Sequence, residues 1–321
     1  MRLGAFDVVE PLPLLREPHA LAMVRPWTDA GSVGALALLE LEQQFGSRQL
    51  AALARPGAFY DLTRYRPTVY LREGRRELAV PNTVVSVASP PAGPDLVIVK
   101  MLEPHMQAET FVDSVLLLLE RLGVRRYTWL GSMYDSVPHT RTLIVSGGAV
   151  GPGTEEEMRR LGIITTDYQG PSTMTFQIIQ RAPASGIEAM WCIVHLPRYV
   201  QVQEDYVGKV RLMDLLRQLY GVEIDESDLD RAREQTDRIE RALQQNPELA
   251  AALPANLGHR VGHRPGLLVR ARVGQRVEHV GDGDDAADQR DFLTADRRRV
   301  AAAVPVFVVG ERDLLGELQQ G

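Results

Sequence analysis

The chain has 321 residues and a formal net charge of −6, and 45% of its residues are hydrophobic, which is typical of a globular protein with a sizeable core. This acidic balance, without a basic stripe that carries interleaved aromatic residues, argues against a nucleic-acid-binding protein. The single cysteine, Cys192, excludes an internal disulfide and a thiolate metal cluster, so we interpret it as a buried apolar side chain in a strand.

The N-terminal segment lacks the features of a leader peptide or a membrane span. Prolines interrupt "MRLGAFDVVEPLPLLREPHALAMV", and no basic flank precedes a long apolar core. Apolar stretches elsewhere are shorter than the roughly 20 residues that cross a bilayer. We therefore expect a cytoplasmic protein that does not enter a membrane.

Strands and helices alternate along the first half of the chain. Strands are predicted at 20–27 and 95–101, and helices at 33–45 and 107–123. The helix at 33–45 follows from apolar residues at near-helical spacing, namely Val33, Leu36, Leu39 and Leu41, and Asp29 or Ser32 can cap it. Prolines punctuate the stretch 48–90, which predicts irregular short strands near one edge of the sheet, at 49–54, 68–71, 77–80 and 84–88.

The second half continues the alternation. Strands are predicted at 126–133, 142–149, 163–168 and 187–197, and helices at 153–162, 172–182, 205–221 and 226–246. The last helix is highly charged, which indicates an exposed helix or an assembly surface. Because alternating strands and helices form βαβ units, we predict an α/β fold with a mostly parallel sheet flanked by helices.

Composition divides the chain into three parts: a core domain at 1–200, a C-terminal helical hairpin at 201–258 and a low-order tail at 259–321. The tail is rich in Arg, Gly, Val, Ala and Asp but has no repeated apolar face that would offset roughly 1 to 2 kcal/mol of backbone entropy per ordered residue. This mixture is typical of GC-rich DNA translated out of frame. The alternative is a small β element built from "LLVRARV", "RVEHVG" and "VPVFVVG".

The turn "WTDAGS" after the first strand carries three candidate binding residues, Trp27, Asp29 and Gly31. A strand-to-helix junction with glycine presents backbone amides that suit an anion. Neither GxGxxG nor GxxxxGK[ST] occurs, however. The simpler interpretation is that Asp29 caps the helix and Gly31 permits a tight turn.

The other candidates lie on loops predicted at strand ends, where parallel α/β sheets bind ligands. They are Pro138, His139 and Arg141 in "SVPHTR", Gly170 and Pro171 in "DYQGPS", and His195 and Tyr199 in "HLPRY". His139 could act as an acid or base and Arg141 could hold an anion. We favour a structural or interface role over catalysis, with Arg141 paired to a carboxylate such as Asp135 and His139 bonded to the backbone. Two histidines without a third ligand do not predict a metal site, and neither GxSxG nor HExxH occurs. We predict no catalytic residue, metal ion or cofactor.

Five motifs occur in an order that resembles the proteasome assembly chaperone 2 family, in its bacterial branch: "WTDAG", "FYDLTRYRP", "VPHTR", "YQGP" and "HLPRY". The resemblance runs from about residue 20 to about residue 254. It implies an α/β core similar to nucleoside phosphorylases, a helical hairpin and self-association. Eukaryotic and archaeal relatives help to assemble proteasome α rings. This chain departs from the family in "RPWTDAG", where relatives often have "GWNDAG", and in ending "ELQQG" without a hydrophobic-tyrosine-x motif.

Two hypotheses of function follow. The first is a non-enzymatic assembly or interaction protein that acts through the strand-end loops and self-association, with itself, proteasome-like α subunits or another protein as partner. The second is an enzyme or small-ligand-binding protein that uses a crevice near Trp27, Asp29, His139, Arg141 and His195. The second requires His139 and His195 to converge within hydrogen-bond reach around a closed pocket.

Overall fold

A ten-stranded sheet lies at the centre of the computed structural model, which describes residues 1–166, 168–245 and 307–308. The strands are β1 Arg2–Leu3, β2 Phe6–Val8, β3 His19–Arg25, β4 Arg48–Leu53, β5 Thr68–Arg72, β6 Arg75–Ala79, β7 Val84–Ala88, β8 Leu96–Leu102, β9 Arg126–Asp135, β10 Val145–Val150, β11 Ile164–Thr165, β12 Glu188–Pro197, β13 Val200–Gln201 and β14 Phe307–Val308. The helices are α1 Val33–Gln44, α2 Ala108–Arg121, α3 Pro152–Arg160, α4 Met174–Arg181, α5 Tyr206–Tyr220 and α6 Glu226–Gln245.

The sheet is parallel at its centre and largely antiparallel on both sides. Its strand order is β1-β2-β4-β7-β8-β3-β9-β12-β10-β11. The four central strands β8, β3, β9 and β12 run parallel, and so do β10 and β11, whereas the remaining neighbours are antiparallel. The prediction of a mostly parallel sheet is therefore wrong for the flanks. A parallel pair needs a crossover of a dozen or more residues, and the connection at 89–95 between β7 and β8 is too short.

Two apolar layers cover the central strands. Along β12, Met190 and Val194 face the layer that includes residues of α1 and α5, whereas Ala189 and Ile193 face the layer that includes residues of α2 and α4. Cys192 lies in the first layer, fully buried, and burial raises the pKa of its thiol to about 12. This environment matches the interpretation of Cys192 as a packing residue.

Helix α1 has the predicted start but a different buried face. Val33, Ala37 and Leu41 form its buried row, with Leu38 beside them, whereas Leu39 is exposed. The predicted apolar stripe was therefore wrong at Leu39. Residues four apart lie one above the other on a helix, so the row at 33, 37 and 41 decides which side packs on the sheet.

The proline-punctuated stretch splits between two sheets. Strands β4 and β7 are inner strands of the antiparallel half, and the edge is formed by β1 and β2, which were not predicted. Strands β5 and β6 form a separate two-stranded antiparallel sheet, and all of their residues are exposed. We call this element the β5–β6 hairpin.

The predicted tail at 259–321 lies outside the described residues, apart from β14, which pairs in parallel with β13. The last residues of the predicted helical hairpin, 246–258, also lie outside them. In the part of the chain that is described, no helix is both long and apolar enough to cross a membrane.

Candidate functional site

The loops that follow β3, β9 and β12 lie at the same end of the parallel strands, where open α/β sheets bind ligands. The loop after β3 begins at Trp27, which is 43% exposed. Its backbone then crosses β9, because Ser132 donates its N–H to the carbonyl oxygen of Thr28 at 2.9 Å. Gly131 permits this crossing, since a Cβ there would lie 2.7 Å from that oxygen.

Asp29 is buried at the start of α1 and satisfies its exposed amides. Its Oδ1 accepts hydrogen bonds from the backbone N–H groups of Gly34 at 2.7 Å and Ala35 at 3.4 Å. Its Oδ2 is buried without a hydrogen-bond partner. Burial raises the pKa of this carboxyl to about 6, although the two amides act in the opposite direction. The geometry agrees with a cap, which is the simpler of the two interpretations.

Gly31 joins this loop to the start of α5. It has a φ of +58°, and a Cβ at this position would lie 2.5 Å from Cβ of Asp205. Its carbonyl oxygen accepts the Asp205 N–H at 2.8 Å. Asp205 in turn caps α5, because its Oδ1 accepts the N–H of Gly208 at 2.8 Å. Glycine is thus required here both by backbone conformation and by a close approach.

The "VPHTR" and "HLPRY" loops meet through a histidine and a tyrosine. The hydroxyl of Tyr199 lies 2.8 Å from the backbone N of His139 and 2.7 Å from its Nδ1. The hydroxyl oxygen accepts the backbone N–H, and its own proton is donated to Nδ1. Burial lowers the pKa of His139, so the ring is neutral with its proton on Nε2.

His139 lines a cavity of about 10 Å³ between its loop and the last two helices. Its Nε2 is buried there without a hydrogen-bond partner, as is Nε2 of Gln235 from α6. Two unpaired donors facing so small a space fit one bound water, which can accept from both. The cavity is too small for a metabolite.

His195 makes a separate network. Its Nδ1 lies 2.8 Å from Oδ2 of Asp135, at the end of β9, and its Nε2 lies 2.7 Å from Oγ of Ser146 on β10. The hydrogen bond from His195 is the main reason why the pKa of Asp135 lies below its ordinary value. Asp135 had been considered as a partner of Arg141, and Ser146 had not been considered at all.

The two histidines do not converge. His139 lies against residues of α5 and α6, whereas His195 follows Ile193 onto the face that α2 and α4 cover. No hydrogen bond joins the two rings in the part of the chain that is described, and the small cavity contains only His139. The ligand crevice that required both of them is not formed.

The remaining candidates lie on two loops. Pro138 and Arg141 are half-buried in the loop that carries His139. Gly170 and Pro171 are exposed in the loop between β11 and α4, where the hydroxyl of Tyr168 donates to the carbonyl oxygen of Pro171 at 3.0 Å. Among the described residues, no group of three or more His, Cys, Asp or Glu side chains is arranged to hold a metal ion.

The contacts that were not predicted from sequence join residues that are far apart in the chain. Ser146 and His195 are 49 residues apart and meet because β10 and β12 pair with Ser146 opposite Ile193. A serine inside the apolar run "TLIVSGGA" was the one available signal, because a polar residue in a buried strand needs a partner.

Comparison with known proteins identifies the family. A sequence model of the PAC2 family matches residues 23–245. The chain belongs to the PAC2 family. The resemblance to bacterial members of the proteasome assembly chaperone 2 family is therefore confirmed. No curated protein matches the chain.

Solved PAC2 structures share this fold. A PAC2 family protein from Streptomyces avermitilis is 28% identical, with a TM-score of 0.64 over 70% of this chain and 95% of its own. A proteasome-assembly chaperone homologue from Mycobacterium tuberculosis is 25% identical, with a TM-score of 0.62 over 74% of this chain and 98% of its own. A second M. tuberculosis protein, of unknown function, is 22% identical, with a TM-score of 0.68 over 78% of this chain and 88% of its own, and indicates fold alone.

Proposed function

We propose that this PAC2 protein is a non-enzymatic assembly protein that associates with itself and binds proteasome-like α subunits or another protein in the cytoplasm. Family membership and the similarity to a proteasome-assembly chaperone homologue support the proposal. The proposal includes a nucleoside phosphorylase-like core, with α5 and α6 as a helical hairpin, and self-association. It also includes a binding surface formed by the strand-end loops.

The observation that carries the proposal is the apolar face of the β5–β6 hairpin. Val69 and Leu78 are directly opposite each other in its register, and Leu71 lies two residues along from Val69 on the same face. Arg76, opposite Leu71, is the one charged residue of these two strands on this face. These three side chains are 60%, 61% and 72% exposed. A two-stranded hairpin is at best marginally stable by itself in water, so an apolar face of this kind is stabilised when another surface covers it.

The opposite face of the β5–β6 hairpin is polar and satisfied within the hairpin. The guanidinium of Arg72 lies 5.9 Å from the ring centroid of Tyr70, and its Nε lies 3.6 Å from Oε2 of Glu77. The hairpin is therefore amphipathic, which is typical of an element that contacts a protein through one side and water through the other. A second copy of the chain is the occupant we assign to the apolar side.

The strand-end loops supply the second proposed surface. Trp27 and Met133 expose 43% and 42% of their surface at this end of the sheet, beside loops that the His139–Tyr199 pair holds together. Exposed aromatic and methionine side chains on an ordered surface are typical anchors of protein interfaces.

The experiment is affinity capture from the native host with tagged wild-type protein and with Trp27→Ala. The matched control is Leu39→Ala, because Leu39 is 46% exposed on α1, away from the strand-end loops. We expect wild type and Leu39→Ala to recover the same partner, such as proteasome α subunits, and Trp27→Ala to lose at least tenfold of it. Equal recovery by all three proteins, or no partner above the background of an empty tag, contradicts the proposal.

A further inference from the structure

A serine, a histidine and an aspartate form a continuous relay across three neighbouring strands. Ser146 lies on β10, His195 on β12 and Asp135 at the end of β9. Oγ of Ser146 is 2.7 Å from Nε2 of His195, and Nδ1 of His195 is 2.8 Å from Oδ2 of Asp135. Nucleophile, base and orienting carboxylate are thus within direct hydrogen-bond reach, in the order that activates a hydroxyl.

The carboxylate of Asp135 determines which nitrogen of His195 carries a proton. Oδ1 of Asp135 accepts the backbone N–H of Ser136 at 2.6 Å, and the hydrogen bond from His195 lowers the pKa of this carboxyl. An ionised Asp135 accepts only, so Nδ1 of His195 carries a proton. In the tautomer with this proton on Nδ1, Nε2 accepts the hydrogen bond from the Ser146 hydroxyl, as a general base must.

The backbone of the sheet holds this geometry. The N–H of His195 donates to the carbonyl oxygen of Ile144 at 2.9 Å, and the N–H of Arg198 donates to the carbonyl oxygen of Asp135 at 3.0 Å. The relay is therefore built on three hydrogen-bonded strands and not on mobile loops, which favours a fixed orientation of the base.

The relay lies at a partly exposed part of the sheet. Ser146 is partly buried and the side chain of His195 is 14% exposed, whereas Met133 and Ile144 beside them are 42% and 37% exposed. Helix α4 covers this face further along the strand, where Phe176 packs on Trp191 with ring centroids 5.6 Å apart. Beyond Trp191, the exposed side chains of this face include the apolar Met133 and Ile144 beside the carboxylate of Asp135.

We propose that Ser146 is a nucleophile that accepts an acyl group from an activated carboxylic ester with a small apolar acyl chain. Oγ of Ser146 attacks the acyl carbon while Nε2 of His195 takes its proton. The bond from that carbon to the leaving oxygen breaks, and the imidazolium returns the proton to this oxygen. Water then attacks the acyl-serine by the same proton route, which releases the acid and restores Ser146.

This inference departs from the proposed function in one respect, because it assigns a slow acyl-transfer activity to a chain proposed as a non-enzymatic assembly protein. It leaves the proposed self-association untouched, since it uses none of the residues on the β5–β6 hairpin. The open face favours slow turnover, so covalent labelling is a better readout than steady-state hydrolysis. A fluorophosphonate probe reports an activated serine directly, because Oγ displaces fluoride and keeps the phosphonyl group.

The experiment labels the full-length protein with a fluorophosphonate and locates the adduct by peptide mass spectrometry. We expect a single adduct on Ser146, none in Ser146→Ala, and labelling at least 100-fold slower in His195→Gln and Asp135→Asn. The control is Ser89→Ala, which changes an exposed serine after β7, outside the relay, and is expected to label within twofold of wild type. p-Nitrophenyl acetate serves as the ester probe, with release of nitrophenolate expected to follow the same order.

Three outcomes overturn the inference. They are an unlabelled wild-type protein, an adduct on a serine other than Ser146, and labelling of Ser146 that does not depend on His195. Thermal melting of each variant identifies any that fail to fold. If His195→Gln is one of them, Asp135→Asn is used to test the inference, because asparagine preserves the size of the side chain.

Discussion

Two glycines at the two ends of α1 separate the effect of backbone conformation from that of a close contact. Gly31 precedes the helix with a φ of +58°, and Gly46 follows it with a φ of +59°. A Cβ on Gly46 meets nothing within 4 Å, whereas a Cβ on Gly31 lies 2.5 Å from Cβ of Asp205. An added side chain would therefore strain the left-handed backbone at both positions, but it would collide with a neighbour only at Gly31.

We predict that Gly46→Ala lowers the free energy of unfolding by about 1 kcal/mol, through the left-handed backbone alone. Gly31→Ala should lower it by about 2 kcal/mol more, because the added methyl group must also displace the cap of α5. Urea unfolding of both variants measures the difference. Equal losses at the two sites contradict the role given to the contact with Asp205.

At the scale of elements, the only two lysines of the chain both pair with glutamates of α1. Nζ of Lys209, on α5, is buried 2.7 Å from Oε2 of Glu40 and also pairs with Asp228 on α6. Lys100, on β8, pairs with Glu42 but keeps about a third of its side chain exposed. The ion pairs of Lys209 thus join α1, α5 and α6, whereas the Lys100–Glu42 pair joins α1 to the sheet.

We predict that Lys209→Met lowers the free energy of unfolding by about 3–5 kcal/mol, because it leaves Glu40 without its cation and leaves the buried Asp228 with only the more distant Arg231, whose Nη1 is 3.6 Å away. Although burial lowers it, the hydrogen bonds with Asp228 and Glu40 raise the pKa of Lys209 above its ordinary value, so the side chain is charged in the folded protein. Lys100→Met is the matched control and should cost about 1–2 kcal/mol, since water reaches that site. Chemical denaturation measures the free energy of unfolding of both variants. A smaller decrease for Lys209→Met than for Lys100→Met contradicts the argument.

The elements themselves could largely be predicted from sequence, because the pattern that defines a helix or strand is local. The run "VVSVA" predicts β7 with its observed bounds, and 188–197 lies within the predicted strand. Strand direction could be predicted only in part, because it depends on whether a connection is long enough for a crossover. The two-residue connection between β1 and β2 and the short one before β8 were the available signals.

Contacts between elements could not be predicted in the same way. Ser146 and His195 meet because of a register between β10 and β12, and spacing along the chain does not specify a register. Gly31 and Asp205 meet across 174 residues because the turn before α1 contacts the start of α5, and local spacing does not specify that contact either. Loop motifs indicated the correct end of the sheet and placed the "HLPRY" loop near His139, but they did not specify which of its side chains makes the contact, which is Tyr199.

At the scale of the whole molecule, the β5–β6 hairpin exposes apolar side chains that do not pack on the rest of the described chain. All of its residues are exposed, although Val69, Leu71 and Leu78 are the kind of side chain that folding normally buries. In the proposed oligomer, a contact between copies of the chain covers this face, and each side chain of this size that becomes buried would contribute about 1.5–3 kcal/mol to association.

We predict that the protein is an oligomer at micromolar concentration and that the double variant Leu71→Ser, Leu78→Ser is a monomer. The control is Tyr70→Ser on the opposite face of the hairpin, which removes a comparably exposed side chain without touching the apolar face and should leave the oligomer intact. Size-exclusion chromatography with light scattering gives the mass of each protein, and circular dichroism verifies that the core remains folded. A monomeric wild-type protein at these concentrations rules out self-association, whereas an oligomer that survives the double variant places the contact on another surface, and in either case the apolar face of the hairpin has a different occupant.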